Sequence, residues 1–267
     1  MYHIRTLKFT SYTNLHRNTF HYVNFTLSLY TREYVIIKFE FTTNMDMTRI
    51  FAEISGAGVV LSSFVINVGA ADGKCVLGTW LYDPANCLAV GGVWGGVFIE
   101  PRDDRYASMA ERFEGHDKVF TIHAAAAPET VIELIDEHIP YNIRDIDVDL
   151  LKVDIDRADC RMAAALSVLR PKVIHVELNP IFPPPFGIAP EYRDGEDWTD
   201  HRHFPREALD TCFANNAGCS LSATAALLPD YKLLQVEKED AVFVRNDLAH
   251  IFEPFTSRSL STHWRLG

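Results

Sequence analysis

Short apolar runs alternate with segments of helical periodicity through most of the chain. Apolar runs of strand length occupy residues 63–68 (SFVINV), 96–100 (GVFIE), 118–123 (KVFTIH), 148–154 (VDLLKVD) and 172–178 (KVIHVEL). Helical spacing of apolar positions occupies residues 45–55, 103–114, 128–138 and 158–169, and we expect Asp103 to cap the second of these helices. Strands that alternate with helices at this spacing predict an α/β fold, a mostly parallel sheet with helices on both faces.

The end of this pattern differs from its beginning. Residues 205–225 are mostly helical in pattern, and residues 231–237 (YKLLQVE) and 241–245 (AVFVR) follow as two strands. Only Lys238, Glu239 and Asp240 separate these strands, which permits an antiparallel hairpin but not a parallel crossover. The sheet is therefore predicted to be Rossmann-like with a C-terminal antiparallel hairpin, unlike the wholly parallel dinucleotide-binding fold.

Two segments flank this regular region, which we place at residues 46–250, and one long loop interrupts it. Residues 1–45 form an N-terminal extension, either a β-hairpin or a poorly ordered segment, and residues 251–267 form a C-terminal tail. Residues 179–204 contain five prolines and a polar stretch, EYRDGEDWTDHRH. A loop of this length is either a lid or substrate loop, or a solvated excursion, and the sequence leaves both open.

Composition narrows the class of protein. The chain has 267 residues, 48% of them hydrophobic, so it can bury a core, and its net charge of −11 argues against nucleic acid as the main partner. The sequence contains no run of about 18 apolar residues, so it predicts no membrane span. The five cysteines are odd in number and include no C-x-x-C pair, so we expect buried or free thiols in a reducing compartment and a cytoplasmic protein. The oligomeric state stays open.

A glycine-containing turn follows the first strand of the regular region. Small residues at positions 69–71 and 73 let the backbone bend sharply and approach a ligand. Asp72 would repel a pyrophosphate, which disfavours NAD and ATP, whereas a carboxylate suits the sulfonium and ammonium groups of S-adenosylmethionine. The candidate cofactor-binding residues of this turn are Asn67, Gly69, Ala70, Ala71, Asp72 and Gly73.

Glu100 ends the second strand, 27 residues after Gly73. An acid in that position can accept hydrogen bonds from both hydroxyls of a ribose, and we assign it to the cofactor site. The alternative is that Glu100, which precedes Pro101, caps the following helix.

Four motifs in order resemble those of the FkbM-type methyltransferases and their relatives. They are NVGAADG, VFIEP, VDLLKVDID and VIHVELNP, and the tail GCSLSATAALLPDYKLLQVEKEDAVFVRNDL is also similar to that family's. The similarity covers residues 63–248 and implies class I methyltransferase topology, with cofactor binding by the first loop and Glu100. One departure is that Arg157 and Ala158 stand where the family usually has glycine followed by a small or polar residue.

Carboxylates follow the fourth and fifth strands, at the edge where open α/β sheets bind ligands. Asp154, Asp156 and Asn179 are the candidate catalytic residues, with Glu177 close by. Asp154 or Asp156 could remove the proton of an acceptor hydroxyl, or these oxygens could hold a divalent metal, which is an option that we do not favour. Capping of the next helix, shared with Asp159, is the structural alternative. His201 and His203 lie in the long loop, and we expect His175 to be packed in the core.

The sequence thus predicts an S-adenosylmethionine-dependent methyltransferase that acts on the hydroxyl of a small molecule or glycan. Two other classes stay open. One is a binding protein on the same fold that has lost methyl transfer, for which Arg157 is the reason. The other is an oxidoreductase with a nicotinamide cofactor, against which Asp72 and the closing hairpin count.

Overall fold

The computed structural model describes residues 23–27, 35–39, 46–76, 83–179, 182, 184–190, 218–237 and 239–256. The chain divides into two compact units, Met1–Asn44 with Phe252–Gly267, and Met45–Ile251. In the first unit, strands β1 (Val23–Leu27) and β2 (Val35–Phe39) pair antiparallel, and a short helix covers Glu253–Thr256.

The second unit contains seven strands and six α-helices among its described residues. In chain order the helices are α1 (Met47–Gly56), α2 (Pro84–Val90), α3 (Asp103–Arg112), α4 (Val131–His138), α5 (Asp159–Leu166) and α6 (Leu221–Leu227). The strands are β3 (Phe64–Val68), β4 (Gly95–Ile99), β5 (Val119–Ile122), β6 (Leu150–Val153), β7 (Val173–Glu177), β8 (Tyr231–Glu237) and β9 (Asp240–Arg245). Turns of 3₁₀ helix cover Ile143–Asp145, Ser167–Leu169 and Asn246–Phe252.

The strands form one sheet in the order β5-β4-β3-β6-β7-β9-β8. The first five of these strands are parallel to one another, whereas β9 runs antiparallel to both β7 and β8. The prediction of a mostly parallel α/β sheet that ends in an antiparallel hairpin is confirmed, and this architecture is compatible with a Rossmann-like fold.

The two faces of the sheet carry different side chains. Val97 and Ile99 of β4 belong to a large apolar cluster with residues of α4 and α5, such as Ile135 and Met162. Phe98 alternates with them and instead packs against Phe113 after α3, with 5.0 Å between ring centroids. Helices therefore cover both faces, as the near-continuous apolar strands predict.

The sequence misplaced several local features. Helix α2 was not predicted, because its apolar run is short and lies in what reads as an insertion. Arg102, and not Asp103, is the N-terminal cap of α3, and Asp103 is its first helical residue. A helix was predicted over residues 205–225. The structure describes this segment only from residue 218 onward, and there α6 begins at Leu221. No helix among the described residues is long and apolar enough to cross a membrane.

The expectation that the cysteines are thiols is wrong for four of them. Cys75 is bonded to Cys87, and Cys160 to Cys219. The partners are 12 and 59 positions apart in the sequence, and their proximity depends on the sheet bringing them together. Cys212 lies outside the described residues. Disulfides form mainly in oxidising compartments, so this pairing does not support the expected reducing environment.

Candidate functional site

The turn after β3 is tightly bent against the end of β6. Gly69, Ala71 and Gly73 all have positive φ, of 83°, 50° and 71°. A Cβ on Gly69 would lie 1.8 Å from the carbonyl oxygen of Asp154, so only glycine fits there. The structure therefore confirms the steric reason for small residues in this loop.

Glu100 lies directly against this loop. Its Oε2 accepts a hydrogen bond from the backbone N–H of Ala71 at 2.9 Å, and its Oε1 accepts one from the N–H of Arg102 at 3.1 Å. Only 3% of the Glu100 surface is exposed. Glu100 thus holds the loop and the start of the next helix together, and each carboxylate oxygen keeps a second lone pair for a further donor.

The carboxylate of Asp72 is already paired. It forms an ion pair with the Lys74 ammonium and accepts a hydrogen bond from the Lys74 N–H, and its own carbonyl accepts one from Arg112 Nε. Burial opposes its charge, but the Lys74 contacts outweigh burial and hold the pKa of Asp72 below its usual value. The carboxylate on which the sequence argument relied is therefore in contact with a lysine of the same loop before any ligand binds.

Asn67 is buried beneath the loop, where it contacts helix α2. Its Nδ2 donates to Asp83 Oδ2 at 3.1 Å and to Asn86 Oδ1 at 3.0 Å, and Asn86 Nδ2 in turn donates to the carbonyl of Ala70 at 3.0 Å. Asn67 has no exposed surface. This residue supports the loop from below, and the structure shows no exposed face of it for a cofactor.

Lys152 is a buried cation that sequence reasoning missed. Its Nζ lies 3.0 Å from Asp83 Oδ2, 3.2 Å from Asp154 Oδ2 and 3.0 Å from the Gly69 carbonyl oxygen. Burial disfavours the ammonium, yet the carboxylates of Asp154 and Asp83 outweigh it and raise the pKa of Lys152. The available signal was a lysine inside an otherwise apolar strand, LLKV, since buried charges are paired.

The turn after β6 is capped from the helix that follows it. Asp159 is buried, and its carboxylate accepts from the N–H groups of Ile155 at 2.7 Å and Arg157 at 2.9 Å. Asp156 and Arg157 both have positive φ, of 57° and 129°. Position 157 therefore has a backbone conformation that favours glycine, although an arginine occupies it. Ala158 is the N-cap of α5 and makes no side-chain cap hydrogen bond, so Asp159 holds the turn and not the helix end, and Asp154 and Asp156 stay exposed.

Glu177 shares the edge of the sheet with these acids. Burial comes first among the causes that raise its pKa to about 9, followed by the negative charges of Asp154, Asp159, Asp156 and Asp240. Asn179 lies two residues further on, buried, and its N–H donates to the carbonyl of Cys219 at 2.8 Å. Glu177 therefore lies near enough to the acids after β6 for their negative charges to act on it.

The other predicted residues divide between the core and the undescribed part of the chain. His175 is buried in β7, as expected. His201 and His203 lie outside the described residues, as does most of the long loop. Within the described part of the chain, no three acidic, histidine or cysteine side chains are placed to hold one metal ion.

No protein-family model matches the chain, and no curated protein matches it. The fold and the site define an α/β protein with a mostly parallel sheet, a tight loop after β3 and an acidic edge at the ends of β6 and β7.

Proposed function

We propose that the protein is an S-adenosylmethionine-dependent methyltransferase that transfers the methyl group to a hydroxyl of a small molecule or sugar. The observation that carries the proposal is the contact between Glu100 and Ala71, because it joins the glycine loop and the acid of the second strand in one site. The sheet that ends in an antiparallel hairpin supports the same class.

The residues present fit the cofactor at two points. Glu100 keeps one lone pair on each oxygen for the two ribose hydroxyls, and the bends at Gly69 and Gly73 leave backbone without side chains beside them. The bound cofactor would supply an electrophilic methyl group. Because Asp72 is paired with Lys74 and Asp154 with Lys152, the exposed carboxylate of Asp156 would contribute most to balancing the positive charge of the cofactor.

The acceptor would meet the exposed carboxylates after β6. Asp154 or Asp156 would remove the proton of its hydroxyl, since both are on the solvent side of the turn. Lys152 holds Asp154 in position through its ion pair, and Lys152 itself is fixed by Asp83 and by the loop.

Isothermal titration calorimetry with S-adenosylhomocysteine tests the proposal, and NADH under the same conditions serves as the comparison. We expect saturable binding of S-adenosylhomocysteine and none of NADH. A folded sample that binds neither ligand, or only NADH, would overturn the proposal.

A binding protein without methyl transfer is the second candidate. The observation that favours it is Arg157, whose φ of 129° places a bulky side chain in a turn that favours glycine. This candidate would be selected if the protein binds S-adenosylhomocysteine but does not convert S-adenosylmethionine to S-adenosylhomocysteine when a panel of acceptors is supplied.

A further inference from the structure

Three carboxylates lie side by side on one face of the sheet. Glu177 of β7 is paired with Asp240 of β9 in the antiparallel register. Asp154 follows Val153, the partner of Val176 in the parallel register, and so it is level with Glu177 on the neighbouring strand. Adjacent strands are about 4.8 Å apart. The three side chains therefore form a continuous row, which we call the acidic row.

The acidic row faces away from the large apolar cluster. Val153, Val176 and Ala241 belong to that cluster, and side chains alternate along a strand. The same face carries Lys152 and His175, which lie two residues before Asp154 and Glu177 and are paired with each other in the parallel register. The acidic row is thus at the rim of a polar face, where Asp154 and Asp240 have side chains that are 46% and 42% exposed.

Only one member of the acidic row has a close cationic partner among the described residues. Lys152 pairs with Asp154 at 3.2 Å. No described side chain forms a hydrogen bond or an ion pair with the Glu177 carboxylate, and like charges placed side by side are unfavourable. Burial first, and then these neighbouring charges, raise the pKa of Glu177, and burial is also the largest cause of the raised pKa of Asp240.

A buried histidine is directed at the same place. The His175 side chain is 10% exposed, and its Nδ1 has no hydrogen-bond partner among the described residues. This atom lies 4.0 Å from Asp240 Oδ1, which is too far for a hydrogen bond. An unpaired buried nitrogen beside an undercompensated row of acids indicates a site that is completed by something else.

We propose that the acidic row binds an ammonium group on the methyl acceptor, so that the acceptor is an amino alcohol or an amino sugar. The inference rests on the proposed function for the identity of the acceptor, but the cation site itself does not. An organic ammonium fits better than a divalent metal because no three metal-binding side chains in the described part of the chain converge on one point.

The test is calorimetric titration of the full chain with two matched pairs of probes. They are glucosamine against glucose and 1,4-diaminobutane against 1,4-butanediol. We expect at least one amine to bind about tenfold more tightly than its neutral counterpart. Asp240→Asn should remove most of that preference, whereas Asp117→Asn, which removes an exposed acid before β5, should keep it.

The two proposals fail separately. If S-adenosylhomocysteine binds but no amine is preferred over its neutral counterpart, the acidic-row proposal is wrong and the methyltransferase proposal stands. If the amine preference survives Asp240→Asn, or if Mg²⁺ binds in place of the amines, the acidic-row proposal is also wrong. If amines bind but S-adenosylhomocysteine does not, the cation site is supported and the methyltransferase proposal is wrong.

Discussion

The backbone N–H of Ala71 donates a hydrogen bond to Glu100 Oε2, and the donor and acceptor atoms are 2.9 Å apart. The two residues are 29 positions apart in the sequence and come together because β3 and β4 are parallel neighbours. The contact fixes the conformation of the loop before any ligand arrives.

Glu100→Gln should weaken both the loop and the cofactor site. The amide replaces one acceptor oxygen with a donor, so the N–H of Ala71 or of Arg102 loses its partner, at a cost of about 1–3 kcal/mol in the free energy of unfolding. We expect the dissociation constant for S-adenosylhomocysteine to rise roughly tenfold. Urea unfolding and calorimetry measure the two effects, with the exposed Glu111→Gln on α3 as control. Unchanged affinity in Glu100→Gln would contradict the ribose assignment.

Lys152→Met should be strongly destabilising. The substitution leaves the buried carboxylate of Asp83 without its cation, which costs about 3 kcal/mol in the free energy of unfolding. Adding Asp83→Asn removes the stranded charge and keeps a side chain that can cap α2, so the double variant should regain part of the loss. Urea unfolding of both single variants and of the double variant gives the coupling energy. Strictly additive effects would mean that the two groups do not depend on each other.

Arg157→Gly should stabilise the turn after β6. The φ of 129° is strained for arginine and unstrained for glycine, and its relief exceeds the flexibility that glycine adds to the unfolded chain. We expect a gain of about 1 kcal/mol in the free energy of unfolding. Arg105→Gly inside α3 is the matched control, and it should lose about 1 kcal/mol. Equal losses in the two variants would show that the turn is not strained.

The stability of the protein should fall as the pH rises, and Glu177 should account for part of this. Its pKa is raised from an ordinary 4.5 to about 9, so the folded state binds its proton more tightly than the unfolded chain does. The resulting stability is complete below pH 4.5 and is lost progressively as the pH rises to about 9.

Glu177→Gln removes this ionisation. The variant should therefore be more stable than the wild type near pH 8, by a few kcal/mol, because each pKa unit is worth about 1.4 kcal/mol, with a smaller difference near pH 5. Urea unfolding at several pH values checks this, and the exposed Glu114→Gln should follow the wild-type curve. If the free energies of unfolding of Glu177→Gln and of the wild type change in parallel with pH, Glu177 does not make the expected contribution.

The Cys75–Cys87 disulfide should stabilise the loop region. It ties the residues after the glycine loop to α2, and replacement of both cysteines by serine should cost about 3 kcal/mol in the free energy of unfolding. Cys212→Ser, which changes neither bond, should have no comparable effect. Thiol titration of the unfolded chain should find four more thiols after reduction than before, because two disulfides join four cysteines. An unchanged thiol count would contradict both bonds.

The regular elements could be read from local patterns. Strands β3 to β9 lie within one or two residues of the predicted runs, because a buried parallel strand needs an unbroken apolar segment and periodicity is visible locally. The antiparallel end followed from a link that is too short for any other connection. Helix α2 was not predicted because a helix of seven residues shows little periodicity.

The candidate site was only partly predictable. Glu100 and the glycine loop were placed together by their positions at neighbouring strand ends. The pairing of Asp72 with Lys74 was not anticipated. Because of it, the acids without a close cation lie at the ends of β6 and β7 and not in the loop. Charge compensation depends on which side chains are within a few ångströms, and the sequence does not record this distance.

The sequence by itself determined the alternation of strands and helices, the closing hairpin and the need for small residues after β3, since each follows from periodicity, link length or backbone sterics. The tertiary structure alone decided which cysteines are bonded, which acids Lys152 compensates and which acids stand side by side uncompensated. These depend on contacts between residues that are far apart in the chain, and only the order and direction of the strands bring them together.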